Sequence, residues 1–297
     1  MKILFHVGVG NTDRPHRWGF VNNNFSNLAR SFERLGHECL VWYHPAATSN
    51  QLYHNSISDS VVRPIAFKPD WVFTWNGISP GDQEVVKMFG KNKMIFGELG
   101  FFDHYSTLYF DFAGVNGRSE NLTETLTPFS PDIYQLLLKK YHKLRIFKDP
   151  FIFIPLQDET DTQITHFSPF SKMQELIDKV SDMYSHSDIK ILYKKHPKVD
   201  CNIVPRKNCI EVKENIHHYL PYAEEVIGIN STALLEALIY HNRVITLGKG
   251  ITSRMLKNDE HKQYVTHLYA KQFAWTEMSN LEKVKNSYFY KKMLCGN

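Results

Sequence analysis

The chain of 297 residues has no long apolar run, few cysteines and no strong excess of charge of either sign. No stretch approaches the roughly 20 apolar residues that a membrane-spanning helix requires, so any membrane association is expected to be peripheral. The formal net charge is only +4, and no dense run of Lys and Arg is present, which argues against nucleic-acid binding. This mildly basic balance suits an anionic small ligand, an anionic acceptor or an anionic lipid surface.

Metal-binding and secretion signals are also absent. The four cysteines show no CxxC spacing and no His/Cys ligand pattern, which predicts reduced thiols and no metal site. Met1-Lys2 leads directly into a short apolar run without a cleavage site, so no signal peptide is expected. The P-loop, zincin, nucleophile-elbow and EF-hand patterns are missing. We expect a cytoplasmic protein, and contact with the inner face of the cytoplasmic membrane is left open.

Segments typical of strands and helices alternate along the chain, which predicts doubly wound architecture with parallel sheets. A first series runs from the strand at 2–7 to a helix at 130–144, and a second series begins with the strand at 151–156. Two Rossmann-like domains facing a central cleft are therefore expected, and one large doubly wound domain is the alternative. The predicted parts are a first domain at 1–148, a second domain at 149–270 and a helical tail at 271–297 that packs back on the first domain.

Carboxylates and amides follow the buried strand at 151–156. Gln157, Asp158, Asp161 and Gln163 all lie within eight residues of its end. In open α/β sheets, ligands bind outside the carboxyl ends of the strands, so chemistry is expected at this loop. An acidic, solvated loop without function is the alternative reading of this segment alone.

A second polar strand end is Asn230-Ser231-Thr232, where a helix begins at once. The N–H groups and hydroxyls there would suit a phosphate, and Glu236, one helical turn further on, could accept hydrogen bonds from ribose hydroxyls. An ordinary Ser/Thr N-cap is the alternative. A third polar end is the basic turn 194–197, where Lys194 or Lys195 and His196 could complete a phosphate or carboxylate site.

Glu98 follows a strand of the first series, between glycines that would let a ligand approach the backbone closely. A carboxylate there and another near Gln157 would supply the nucleophile and the proton-transfer group that glycosyl transfer with retention requires. A structural Glu that caps a turn is the alternative. Acceptor contacts are expected from Asn11 and Arg17, which follow the first strand, and from Asn76, which follows the strand at 71–75.

Taken together, these motifs resemble the bacterial capsule-type transferases of 3-deoxy-D-manno-octulosonic acid (Kdo). The resemblance covers residues 70 to 250, and the joint order of the motifs is more specific than any one of them. The matching segments are 75–77, 97–100, 111–116, Pro155-Leu156-Gln157 with Asp161, Gln163 and Ile164, the turn 194–197, and 230–232 with Glu236.

The resemblance implies a GT-B fold, with an acceptor-side domain at 1–148 and a nucleotide-sugar domain at 149–270. It also implies a CMP-β-Kdo donor, a saccharide or glycolipid acceptor in capsule or lipopolysaccharide synthesis, and no cofactor. Transfer would occur with retention through a covalent Kdo adduct on Asp161, which stands four residues after Gln157. Asp158 is the second choice for the nucleophile, and Glu98 would be the acid/base residue. The predicted donor-binding residues are Gln157, Gln163, Lys194, His196, Asn230, Ser231, Thr232 and Glu236.

Two rival functions stay open at this point. One is an inverting GT-B transferase that uses CMP-sialic acid or a CDP-polyol, which would need a base but no nucleophile. The other is a non-catalytic protein that binds a nucleotide sugar. The acceptor, and whether the chain is a module of a larger transferase, are also left open by the sequence.

Overall fold

The computed structural model describes residues 1–7, 15–43, 62–204, 206–257 and 259–296, without the side chains of residues 15–20 and 62–63. Contacts divide the chain into two compact units. Unit 1 contains residues 1–115 and 271–297, and unit 2 contains residues 116–270. Residues 116–148, which were predicted to end the first domain, therefore pack with unit 2. Within the described residues, no helix combines the length and apolar character needed to cross a membrane.

Unit 1 is built around a six-stranded sheet. Its strands, numbered along the chain, are β1 (Lys2–Val7), β2 (Glu38–Tyr43), β3 (Trp71–Trp75), β4 (Met94–Leu99), β5 (Thr107–Asp111) and β11 (Gln272–Ala274). They lie in the order β11-β5-β4-β3-β1-β2. Strands β1 to β4 pair in parallel, whereas β5 and β11 are antiparallel to their neighbours. Four strands thus form the predicted parallel arrangement, and β5 and β11 extend it as an antiparallel edge.

Five helices accompany this sheet in the described part of unit 1. They are α1 (Pro15–Arg34), α2 (Val62–Phe67), α3 (Pro80–Phe89), α9 (Leu281–Asn286) and α10 (Tyr288–Cys295). The tail was predicted as one helix, but it is two, because the Ser287 hydroxyl accepts a hydrogen bond from the Tyr290 N–H and starts a new helix.

The core of unit 1 is aromatic, and the C-terminal tail forms part of it. Phe5 and Phe73 stack with ring centroids 4.8 Å apart. Phe289 of α10 lies 4.6 Å from the Phe110 ring, and the Ser31 hydroxyl donates to the Met278 carbonyl at 2.7 Å. Residues from both ends of the chain thus complete one hydrophobic core.

Unit 2 contains a fully parallel sheet of five strands, in the order β10-β9-β6-β7-β8. Its strands are β6 (Phe151–Pro155), β7 (Lys190–Lys194), β8 (Cys209–Glu211), β9 (Glu225–Gly228) and β10 (Val244–Thr246). Its α-helices are α4 (Pro131–Tyr141), α5 (Thr162–Phe167), α6 (Met173–Met183), α7 (Thr232–Ala237) and α8 (Glu260–Lys271). From β6 the chain builds outward through β7 and β8, and it then returns to the other side of β6 with β9. The strand order therefore reverses between β6 and β9, and such a switch point is where open α/β sheets bind ligands.

We predict that Phe289→Ala destabilises the protein. The side chain is 1% exposed and contacts the rings of Phe73, Phe110 and Phe273, so its removal leaves a cavity in the unit 1 core. The free energy of unfolding should fall by about 3–5 kcal/mol. Urea unfolding followed by tryptophan fluorescence measures this change. Lys285→Ala, on an exposed position of the same tail, is the control and should change stability by less than about 0.5 kcal/mol. Equal midpoints for the two variants would contradict the assigned packing.

Candidate active site

Two side-chain amides bridge the switch point of unit 2. Gln157 follows β6, Asn230 follows β9, and both are buried. The Gln157 amide nitrogen donates to Asn230 Oδ1 at 3.0 Å, and the Asn230 backbone N–H donates to Gln157 Oε1 at 3.2 Å. This reciprocal pair fixes the two loops that leave the sheet on either side of the reversal.

Asn230 also anchors two further segments. Its Nδ2 donates to the Gln163 carbonyl at 3.0 Å and to the Lys249 carbonyl at 3.1 Å. The loop at Gly250 packs directly on this residue, because a Cβ atom placed on that glycine would lie only 2.7 Å from Asn230 Cβ. One asparagine therefore holds together the loops that follow β6, β9 and β10.

The carboxylates after β6 have three different local roles. Glu159 Oε1 accepts from the Met173 N–H at 2.8 Å, and Glu159 Oε2 lies 2.9 Å from Lys172 Nζ. Burial disfavours its ionisation, but these hydrogen bonds outweigh burial and lower the pKa of Glu159. Glu159 thus fastens the start of α6.

Asp158 and Asp161 form a tight turn at the start of α5. Asp158 is buried, and its Oδ1 accepts from the N–H and the hydroxyl of Thr160 at 2.9 and 2.7 Å. Asp161 is the N-cap of α5, and its Oδ1 accepts from the Gln163 N–H at 2.9 Å. Asp161 is partly exposed, whereas Asp158 is buried. Asp161, which stands four residues after Gln157, is therefore more accessible to a ligand than Asp158.

His196 lies within electrostatic reach of both aspartates. Burial lowers the pKa of His196, while the negative charges of Asp158 and Asp161 act in the opposite direction. The Lys198 N–H lies 3.3 Å from its Nδ1. Because β6 and β7 are adjacent, the imidazole and the aspartate turn share the carboxyl edge of the sheet. The sequence-predicted grouping of Gln157, Asp161, Gln163, His196 and Asn230 is thus present in unit 2.

The two lysines before His196 point to other partners. Lys194 Nζ donates to the Lys213 carbonyl at 2.5 Å, on the side of β8. Lys195 Nζ lies 2.9 Å from Asp200 Oδ1 and 3.8 Å from Glu211 Oε2. Strand β8 is the edge strand, and β6 and β7 lie between it and β9, so these contacts direct both ammonium groups away from Asn230.

The residues after Asn230 form a capped helix start and an ion pair. The Ser231 hydroxyl accepts from the Ala233 N–H at 3.2 Å, and Thr232 is the first residue of α7. Glu236 Oε2 lies 3.1 Å from His217 Nε2, and His217 Nδ1 lies 3.1 Å from the Tyr240 hydroxyl. His217 was not predicted, because a histidine within the 216–222 segment carries no motif that links it to a carboxylate 19 residues later.

Further cationic side chains near this edge were also missed. The Arg118 guanidinium carbon lies 5.7 Å from the ring centroid of Phe167, the last residue of α5. The Lys249 N–H donates to the Phe167 carbonyl at 2.8 Å. Both basic side chains are exposed. Gly248-Lys249-Gly250 at the end of a strand was the available signal for Lys249, but nothing in the sequence linked Arg118 to α5.

Four of the predicted site residues belong to unit 1. Glu98 lies in β4 opposite Tyr109, is partly exposed, and its Oε1 accepts from the Leu99 N–H at 2.9 Å. Asn76 follows β3, where its N–H donates to the Gly97 carbonyl at 2.9 Å. Asn11 lies outside the described residues, and Arg17 lies in α1 with its side chain outside the description. No group of His, Cys, Asp and Glu side chains suited to a metal ion occurs in the described ranges.

We predict that Asn230→Asp destabilises unit 2. The new carboxylate would face the carbonyl oxygens of Gln163 and Lys249 in place of an NH₂ donor, inside a buried site. The loss should be about 1–3 kcal/mol in the free energy of unfolding, measured by thermal or urea denaturation. Ser231→Ala is the control, because it removes one partly exposed cap and should cost about 1 kcal/mol or less. If Asn230→Asp were as stable as the unmodified protein, the amide could not be the anchor of the three loops.

Part of the sequence matches a known protein family and a curated relative. Residues 132–255 match the family described as "Capsule polysaccharide biosynthesis protein". Protein FixF from Sinorhizobium fredii (strain NBRC 101917 / NGR234) is 27% identical over 209 residues, which are 60% of this chain and 49% of FixF. The chain thus spans about half the length of this curated relative.

Two solved structures share the fold. The Thermosulfurimonas dismutans KpsC beta Kdo 2,7 transferase superposes with a TM-score of 0.57 at 18% identity, covering 95% of this chain and 100% of that one. The KpsC beta Kdo 2,4 transferase of the same organism gives 0.55 at 12% identity, covering 89% of each chain. The predicted α/β fold is confirmed, as is the resemblance to capsule-type Kdo transferases, through the match of residues 132–255 and the fold that the chain shares with these two structures.

Proposed function

We propose that the protein is a glycosyltransferase that moves Kdo from CMP-β-Kdo to a saccharide or glycolipid acceptor, with retention of configuration. The observation that carries the proposal is the grouping of Asp161, Asp158 and His196 at a switch point that the Gln157–Asn230 pair holds in place. A switch point suits a nucleotide, and a carboxylate within electrostatic reach of an imidazole suits nucleophilic attack beside a phosphate. The family match of residues 132–255 and the shared fold support the same substrate class.

In the first step, an oxygen of the Asp161 carboxylate attacks C2 of Kdo. The bond between C2 and the phosphate oxygen breaks, and CMP leaves with the electron pair, so that an ester bond joins Asp161 to the sugar. CMP is a leaving group of low basicity, so it needs electrostatic stabilisation more than it needs a proton. His196 and the polar groups at Asn230, Ser231 and Thr232 supply that stabilisation in this proposal.

In the second step, an acceptor hydroxyl oxygen attacks C2 from the other face, and Asp161 is expelled as a carboxylate. The Gln163 N–H, which donates to Asp161 Oδ1, stabilises the charge that returns to this group. The acceptor proton passes to a carboxylate base, for which the resemblance proposes Glu98. Two inversions at C2 give net retention, and neither step consumes a metal ion or a redox cofactor.

Glu236 is proposed to accept hydrogen bonds from the ribose. His217 contacts Oε2 of this carboxylate and thereby fixes the orientation of the Glu236 side chain. Gln157 and Gln163 act in the proposal mainly through the loops that they fix. Lys194 contributes a positive charge near the end of β8 rather than a contact beside Asn230.

The adduct is tested by intact-protein mass spectrometry after incubation with CMP-Kdo in the absence of acceptor. The unmodified protein should gain the mass of one Kdo residue and release CMP, because Asp161 can react but the second step cannot follow. Asp161→Asn should show no gain, and its turnover with acceptor should fall on the order of 10³-fold or more. Asp158→Asn, a matched change in the same turn, should still form the adduct.

The other outcomes separate the rival functions. An adduct lost in Asp158→Asn and kept in Asp161→Asn would move the nucleophile to Asp158. Product formation by Asp161→Asn at the unmodified rate would indicate an inverting transferase. Binding of CMP-Kdo without release of CMP under any acceptor would indicate a non-catalytic binding protein. Circular dichroism of each variant verifies that it is folded.

CMP binding is predicted to take up protons through His196. Burial keeps the pKa of this imidazole below 6.5 in the free protein, and a bound phosphate favours the charged form and raises the pKa. Between the two pKa values the complex holds more protons than the free protein. The affinity for CMP should therefore increase as the pH falls through that window, by at most about tenfold per pH unit.

Isothermal titration calorimetry across pH, in buffers of different ionisation enthalpy, measures this proton uptake. His196→Gln is the control, because it keeps a hydrogen-bonding side chain but cannot titrate. The phosphate itself loses its second charge near pH 6, which acts in the opposite direction and is the same for both proteins. Identical pH dependences for the two proteins would exclude His196 from the phosphate site.

A further inference from the structure

The surface formed by α4 and the segment that follows it is both basic and apolar. Residues 133–148 contain four lysines, one arginine and no carboxylate. Leu136, Leu144 and Ile146 expose 47%, 78% and 48% of their surface. We call this surface the α4 patch, and its members are Leu136, Lys139, Lys140, Lys143, Leu144, Ile146 and Lys148.

On α4, the exposed members of the patch share one face. Lys139 and Lys140 lie three and four residues after Leu136, and all three are exposed, whereas Leu137 and Tyr141 are buried. The helix therefore faces the unit with one side and presents an apolar side chain flanked by lysines on the other.

After α4, the chain is held in a fixed irregular path that displays the remaining members. The Tyr222 hydroxyl donates to the Lys143 carbonyl at 2.8 Å, and His218 Nδ1 lies 2.8 Å from the Leu144 carbonyl. The Arg145 guanidinium donates to the carbonyls of Phe147 and Lys148, both at 2.7 Å. Exposure of Leu144 and Ile146 is thus a property of a backbone that is fixed by hydrogen bonds.

Three lysines of the patch are not neutralised by a carboxylate in the described part of the chain. Lys139, Lys143 and Lys148 form no ion pair with any residue that the structure describes. The two carboxylates nearest in sequence, Asp132 and Asp149, flank the basic stretch on either side. Lysines around exposed leucine and isoleucine side chains match a surface that is negatively charged outside and apolar beneath, and an anionic phospholipid bilayer has this arrangement.

We propose that the α4 patch binds the protein to the surface of anionic phospholipid membranes. Leu136, Leu144 and Ile146 enter the boundary between headgroups and acyl chains, while the lysines contact lipid phosphates. The binding is peripheral and reversible, and it weakens with ionic strength because exposed charges are screened. This surface would keep the enzyme near membrane-borne acceptors, but the proposal does not depend on the reaction.

Vesicle co-sedimentation of the full chain tests the proposal. Vesicles of phosphatidylglycerol and phosphatidylethanolamine should bind the protein at low salt, and phosphatidylcholine vesicles should not. Each lysine near an anionic surface contributes a factor of about five, so Lys139, Lys143 and Lys148→Glu together should weaken binding by about 100-fold or more. Leu144→Ser with Ile146→Ser should weaken it by about tenfold or more, with little effect on its salt dependence.

Two matched controls separate the patch from general effects. Lys179, Lys190 and Lys207→Glu give the same net charge as the patch triple variant, but these exposed lysines lie elsewhere on unit 2. Met255→Ser removes an apolar side chain that is 94% exposed outside the patch. Both controls should bind vesicles nearly as well as the unmodified protein, and circular dichroism establishes that all variants are folded.

Three results would overturn the proposal. The first is no binding of the unmodified protein to anionic vesicles at low salt. The second is an equal loss of binding in the patch variants and their controls. The third is a concentration-dependent oligomer that the patch variants abolish while vesicle binding is unchanged, which would make the surface a protein contact.

Discussion

The reciprocal hydrogen bonds between Gln157 and Asn230 are the constraint on which the candidate site depends. They join the loops after β6 and β9 at the place in the unit 2 sheet where the strand order reverses. Both side chains are buried amides, so each leaves costly unsatisfied groups if the other is lost. Through Asn230 Nδ2, the same constraint extends to the start of α5 and to the loop after β10. Loops held in this way supply rigid positions for side chains that would otherwise sample many conformations.

The acidic residues after β6 show how one loop assigns different roles to chemically similar groups. Glu159 is fixed at the start of α6 by two hydrogen bonds, and Asp158 is buried in a turn. Asp161 caps α5 with one oxygen and is partly exposed. Access and local hydrogen bonding therefore distinguish these carboxylates better than distance from the strand does. Both criteria favour Asp161 as the accessible carboxylate, and so does its spacing of four residues from Gln157.

Much of this arrangement could be predicted because strand ends carry strong local signals. The strands β1, β3 and β6 were predicted from apolar runs bounded by turn residues, and their polar ends identified the loops of the site. Strands β5 and β11 were missed because β11 has only three residues and pairs with β5 from a distant part of the chain. Long-range pairing has no local pattern. The Glu236–His217 contact and the position of Arg118 beside Phe167 were missed for the same reason, since both depend on tertiary packing.

The return of residues 271–297 to unit 1 has a consequence for how the protein is made. Unit 2 is one continuous stretch, residues 116–270, so all of its strands have been synthesised before the tail emerges. Unit 1 lacks β11 and the aromatic side chains of α10 until residues 271–297 have left the ribosome. Its apolar sheet face stays incomplete until then. Domains generally fold as units during synthesis, and incomplete ones expose aggregation-prone surface. Residues 1–115 therefore precede unit 2 along the chain but complete their core after it, and a chain that stopped near residue 270 would leave unit 1, rather than unit 2, as the target for chaperones and proteases.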